Sequence, residues 1–166
     1  MHVRSYSKSH GPDLRLAGLS GPTELLRDAL SRRQLGQGWS SRLLQRILVG
    51  LLTDDDAVAH VARARLEYAR RRGAVVAALD GHGIDVPGSD GLNIWVPVHD
   101  ETAAVVRLAS QGIGVTPGTP FDVVPGVPGG GGNIRVTTGL VAEGHEELAA
   151  TLAGAANTSG WGERAR

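Results

Sequence analysis

Lysine is all but missing from these 166 residues: Lys8 is the only one, beside sixteen arginines. Cysteine is absent altogether, which excludes a disulfide scaffold and any thiolate metal site, and fits a reducing cytoplasm. Neither sign of charge is in excess, since Lys+Arg and Asp+Glu both number 17. That balance points neither to nucleic acid nor to an anionic membrane surface. No apolar run approaches the roughly 18 residues of a membrane span, so no membrane partner is expected. Met1-His2-Val3-Arg4 leads into no apolar h-region, so no secretory signal is expected either. The histidines show no metal-ligand spacing, and no metal site is expected. Aromatic residues make up only 4 %, while alanine, glycine and arginine dominate, as in a GC-rich coding sequence. Such a bias depletes lysine by itself, but it does not explain what surrounds the lysine that remains.

The chain is long enough for one domain, or one domain and part of another. Met1 to Ser7 and Leu14 to Leu19 read as short strands, which puts Lys8 on the loop between them. Leu25, Leu26, Ala29 and Leu30 recur at helical spacing between Pro22 and Leu35, and Gly36-Gln37-Gly38 breaks the pattern. A second helix is expected from Ser40 to Leu52, with an apolar face of Leu43, Leu44, Ile47, Leu48, Leu51 and Leu52. Thr53-Asp54-Asp55-Asp56 starts a long helix reaching Leu79, its acids at the positive end. Both the aspartates and Arg70-Arg71-Arg72 read as solvated helix surface.

After Gly81-His82-Gly83 the pattern changes. Strands are expected at Leu92–Val98, Ile113–Thr116 and Asn133–Thr138, and helices at Glu101–Ser110 and Glu143–Ala155. Residues 125–132 read as a Pro/Gly loop and 157–166 as a disordered tail. This order implies an α+β layer with helices on one face of a small sheet, within an α/β fold class. Gly129 to Gly132 is no P-loop, because Asn133-Ile134 stand where Lys-Ser/Thr is needed. Trp39 and Trp95 read as core or interface residues, and His10 as a loop hydrogen-bonding residue.

Lys8 sits in Ser5-Tyr6-Ser7-Lys8-Ser9-His10-Gly11-Pro12-Asp13-Leu14-Arg15. Arginine is always charged, whereas a lysine amine can lose its proton and attack a carbonyl. The spacing resembles the motif S-x-S-K-x-x-x-P-x-x-R of fold-type-I enzymes that use pyridoxal 5'-phosphate. Pro12 to Gly18, Gly38 to Gln45, Gly91 to Val96 and Gly112 to Gly118 extend the likeness over most of the chain. Together they resemble the aminotransferase-like domain of MocR-type regulators in the GntR family.

The resemblance implies specific roles. Lys8 is then the catalytic and cofactor-bearing amine, able also to move the substrate α-proton. Ser5 and Arg15 match the phosphate ligands, with Ser7 as an extra contact. Arg135, in Asn133-Ile134-Arg135-Val136-Thr137, matches the strand arginine that holds the substrate α-carboxylate with two parallel hydrogen bonds. The expected architecture is the C-terminal portion of that fold. Residues 1–60 would be a remnant of the large domain and 61–156 a complete small domain, from a truncated, fragmentary or split gene. In longer relatives the upstream part supplies the acid on the pyridine nitrogen and the residue stacked on the ring. Neither Asp13 nor Asp54 matches that acid, so little activity is expected of the chain alone.

Two functions follow from the likeness. One is amino-group transfer between an amino acid and a 2-oxo acid. The other is sensing of an amino-acid-like effector in a regulator, with no nucleic-acid contact by this chain. A homodimer is expected for the full-length family.

Overall fold

Period-2 alternation in the second half of the chain decides which side chains face a core. The computed structural model describes residues 1–122 and 132–158. The backbone falls into two compact units, Met1–Arg65 and Leu66–Arg166.

The first unit begins with an antiparallel hairpin of β1 (His2–Ser5) and β2 (Ala17–Ser20), in which His2 pairs with Ser20 and Ser5 with Ala17. All eight strand residues are exposed. Helix α1 (Thr23–Gln34) follows Pro22, with Arg32 and Arg33 at its negative end. Helix α2 (Arg42–Thr53) starts at Ser41, whose hydroxyl accepts a hydrogen bond from the Leu44 amide at 3.3 Å. Its apolar face forms as the spacing predicts, yet only Leu48 is buried. Leu43 and Ile47 remain 68 % and 45 % exposed, so amphipathic spacing alone did not secure a covered face. Asp54 caps the long helix α3 (Asp55–Gly81) by accepting from the Ala57 amide at 2.8 Å.

The second unit holds the core. Strands β3 (Asn93–Val98), β4 (Thr116–Pro117) and β5 (Gly132–Thr137) form an antiparallel sheet in the order β3-β5-β4. Ile94, Val96, Val98, Ile134 and Val136 are buried on one face. Against them pack Val75 and Leu79 of α3, Ala104 and Leu108 of α4 (Glu101–Ser110), and Leu152 of α5 (His145–Ala156). Residues Trp95 and Arg135 fall on the opposite face by the same alternation. Two Schellman ends shape the connections: Gly83 and Gly112 take φ of 73° and 78°, and the Ile84 and Ile113 amides donate to Leu79 and Leu108 carbonyls.

Four expectations need correction or restriction. The strand expected over Ile113–Thr116 is only Thr116–Pro117, because Ile113 and Val115 are drawn against the core and Pro117 has no amide for the ladder. The arginine run is not uniformly solvated: Arg72 is 7 % exposed and donates to the Gly88 carbonyl at 2.6 Å, while Arg71 donates to the Gly139 carbonyl at 2.7 Å. Of the two readings of Trp39, core or interface, the core one falls, since Trp39 is 76 % exposed. Gly132 opens β5 rather than ending a loop; the rest of that loop, and the tail beyond Thr158, lie outside the described residues. Among the described residues no helix is long and apolar enough to cross a membrane.

Candidate functional site

Hairpin register sets the geometry around Lys8. The ladder continues past Ser5–Ala17 with the Tyr6 amide donating to the Leu16 carbonyl at 3.0 Å, so Arg15 lies at the same end as Ser5, Ser7 and Lys8. The loop closes with the His10 amide donating to the Tyr6 carbonyl at 2.9 Å. Ser9 and His10 side chains hydrogen-bond at 2.8 Å, and the Tyr6 and His10 rings meet edge-on at 5.7 Å. His10 therefore serves the loop, as its sequence setting suggests. The Ser7 amide donates to Ser5 Oγ at 3.4 Å. Lys8 itself is exposed, as a primary amine open to a carbonyl must be.

A 3-10 turn at Pro12–Leu14 buries Leu14 and delivers Arg15 at φ 47°, ψ 34°. Arg15 is the one non-glycine residue in the left-handed region among those described. Such a conformation costs about 1–2 kcal/mol and persists where the surroundings impose it. Arg15 shares a cleft of about 540 Å³ with Arg33, Trp39 and Ser40. Two guanidinium groups there favour an anion. Ser5, Ser7 and Lys8 do not line this cleft.

In the second unit, Arg135 is half-buried on the sheet face away from the core. Its Cζ lies 4.6 Å from the Phe121 ring centroid, and Nη2 donates to Thr116 Oγ1 at 3.4 Å. The buried Nε has no partner among the described residues. A guanidinium with an unused donor, lying over a ring, suits a carboxylate. Phe121 and Glu101 were missed as site residues; Phe121 is the chain's only phenylalanine, a signal that was there to read. Glu101 offered none, since it reads as an ordinary acid in the first turn of a helix.

The family model for aminotransferase class I and II matches residues 1–152. The chain belongs to this family. It is 35 % identical over 122 residues to the vitamin B6 salvage pathway transcriptional repressor PtsJ of Salmonella typhimurium, covering 73 % of this chain and 28 % of the repressor. It is 34 % identical over 140 residues to a protein of Mycobacterium tuberculosis named as a probable aminotransferase, covering 81 % of this chain and 31 % of that protein. The chain thus spans under a third of these relatives. The α-aminoadipate aminotransferase LysN of Thermus thermophilus, solved with N-(5'-phosphopyridoxyl)-L-leucine, superposes with a TM-score of 0.73 at 23 % identity. That match covers 92 % of this chain and 40 % of LysN. The fold is accordingly that of the fold-type-I transferases, of mixed helix and sheet, and the chain is an aminotransferase-like domain of a family whose cofactor is pyridoxal phosphate.

Proposed function

We propose that this domain binds pyridoxal phosphate at Lys8 and the α-carboxylate of an amino acid or 2-oxo acid at Arg135, in support of amino-group transfer. The reading is supported by the hairpin register, which puts the chain's sole lysine in the loop that follows Ser5 at the end of β1, with Arg15 just before β2. These donors fit the cofactor: an accessible amine for its aldehyde, and hydroxyls and a guanidinium for its phosphate. When bound, the cofactor supplies an electron sink for bonds at the substrate α-carbon. Lys8 then holds or moves the α-proton, while Arg135 orients the substrate through its carboxylate. No residue of this chain is assigned to the pyridine nitrogen, so the 166 residues alone should turn over slowly. The working assembly is a cytoplasmic homodimer.

A second reading is effector sensing in a transcription regulator, and the likeness to PtsJ favours it. Both readings share the binding chemistry and differ in turnover. Incubation with pyridoxal phosphate, borohydride reduction and peptide mapping should place the pyridoxyl group on Lys8, and Lys8→Arg should abolish it. An adduct confined to the Met1 α-amine would refute the cofactor site. A panel of amino acids, scored for conversion of bound cofactor to pyridoxamine phosphate, separates enzyme from sensor.

A further inference from the structure

We propose that Glu101 is a positioning residue for the carboxylate clamp at Arg135: its carboxylate fastens segment 116–121 to β5, and that segment carries Thr116 and Phe121, which touch the guanidinium. The functional consequence rests on the reading of Arg135 given above, but the positioning can be measured without any ligand.

Segment 116–121 has little else to hold it. Its ladder with β5 has two pairs, Thr116 with Arg135 and Pro117 with Ile134, and Pro117 has no amide to donate. Beyond Pro117 the chain leaves the ladder, tied to β5 by the Gly118 amide donating to the Asn133 carbonyl at 2.7 Å. Glu101, in the first turn of α4, adds further hydrogen bonds. Its Oε1 accepts from the Asn133 amide at 3.0 Å and the Thr119 amide at 3.1 Å. Its Oε2 accepts from Thr119 Oγ1 at 2.7 Å. One carboxylate therefore takes donors from β5 and from the segment leading to Phe121.

Space is reserved for this arrangement. A Cβ at position 132 would stand 2.5 Å from Glu101 Cγ, and one at position 118 would stand 2.6 Å from the Asn133 carbonyl oxygen. Both positions are glycine. Burial alone would raise the Glu101 pKa, but the Thr119 hydroxyl and the Asn133, Thr119 and Gly118 amides outweigh it and hold the carboxyl below its ordinary range. The acceptor is thus charged at neutral pH, where charge-assisted bonds are strongest.

The test uses the isotope-labelled 166-residue chain in NMR. In the wild type, Phe121 ring protons should show cross-relaxation to the Arg135 side chain. Titration with 4-methyl-2-oxopentanoate should shift the Arg135 Nε–H resonance. Glu101→Gln removes the charge and sets an NH2 against the Thr119 amide that Oε2 also takes at 3.2 Å, although the Thr119 hydroxyl can turn to accept from it. It should remove the Phe121–Arg135 contact and weaken 2-oxo acid binding about tenfold, the effect of losing hydrogen bonds to a charged group. Amide protection at Ile94 and Ile134 should persist. Glu101→Asp is one methylene too short to reach both partners and should behave alike. Thr119→Val, at an exposed position, covers the case in which Glu101→Gln does not fold, and should loosen the same contact. Retention of the Phe121–Arg135 contact in the folded variants overturns the proposal, as does its full restoration by aspartate. If the wild type binds no 2-oxo acid but the contact still depends on Glu101, the carboxylate reading fails and the positioning role stands.

Discussion

Trp95 and Arg135 are direct partners across the β3–β5 ladder, both on the face turned away from the core. Phe121 closes this cluster, its ring 5.5 Å from that of Trp95 at an interplanar angle of 72° and 4.6 Å from the Arg135 Cζ. Among the described residues the guanidinium lies over the Phe121 ring and has no acidic partner, which leaves its charge for an incoming carboxylate.

Removing the fork should cost more than removing the ring. Arg135→Lys keeps the charge but loses two parallel hydrogen bonds, and should weaken 2-oxo acid binding by about 1.5–3 kcal/mol. Phe121→Leu loses the cation–π contact and should cost about 0.5–2 kcal/mol. Isothermal titration of both variants checks the ranking; equal affinity for Arg135→Lys and wild type would count against the clamp.

Glu67 gives a pH prediction. Side-chain hydrogen bonds from Arg70 and Arg71 lower its pKa from 4.5 to about 2. A depressed carboxylate stabilises the folded state above its unfolded pKa, and that contribution is lost as pH falls through the folded value. The stability gap between wild type and Glu67→Gln should therefore be constant above about pH 5 and close between 4.5 and 2. Glu67 and Arg70 are substantially exposed, so added salt should narrow the gap. Urea unfolding across this range decides it; a gap unchanged down to pH 2 would be the wrong result.

Buried Arg72 predicts a split between two substitutions. Arg72→Ala removes the packed stem and leaves the Gly88 carbonyl without its donor, for a loss of about 2–4 kcal/mol. Arg72→Met retains the stem and removes a buried charge, and should cost at most about 1–2 kcal/mol. Denaturation midpoints of the two proteins supply the comparison.

Hydrogen exchange should differ between the units. Amides of Ile94, Val96, Ile134 and Leu152 lie in the buried cluster and should exchange slowly. Those of β1 and β2, on a two-stranded hairpin with every residue exposed, should exchange quickly in the monomer. Uniform protection across the monomeric chain would contradict this picture.

Local order was legible from residues alone. Each of the five α-helices among the described residues was expected from the sequence, with α4 at the expected Glu101–Ser110. The strands at β3 and β5 were expected, and once they form, alternation puts Ile94, Val96, Ile134 and Val136 on one face and Arg135 on the other, because side-chain period is a property of the backbone itself. The lysine motif, and the family it resembles, were equally readable, since the chemistry rests on residue types at short spacing.

Closure in three dimensions decided the rest. Glu101 meets Thr119 and Asn133 across 18 and 32 residues, and Arg71 meets Gly139 across 68. No periodicity encodes such pairings, which arise only once the strands have registered. Pro117 cut the expected third strand to two residues, and packing drew Arg72 out of a charge run that looked uniformly wet. The amphipathic face of α2 shows the converse. Its spacing was sufficient to make the helix, but burial requires a neighbour, and Leu43 and Ile47 stay exposed because none among the described residues covers them.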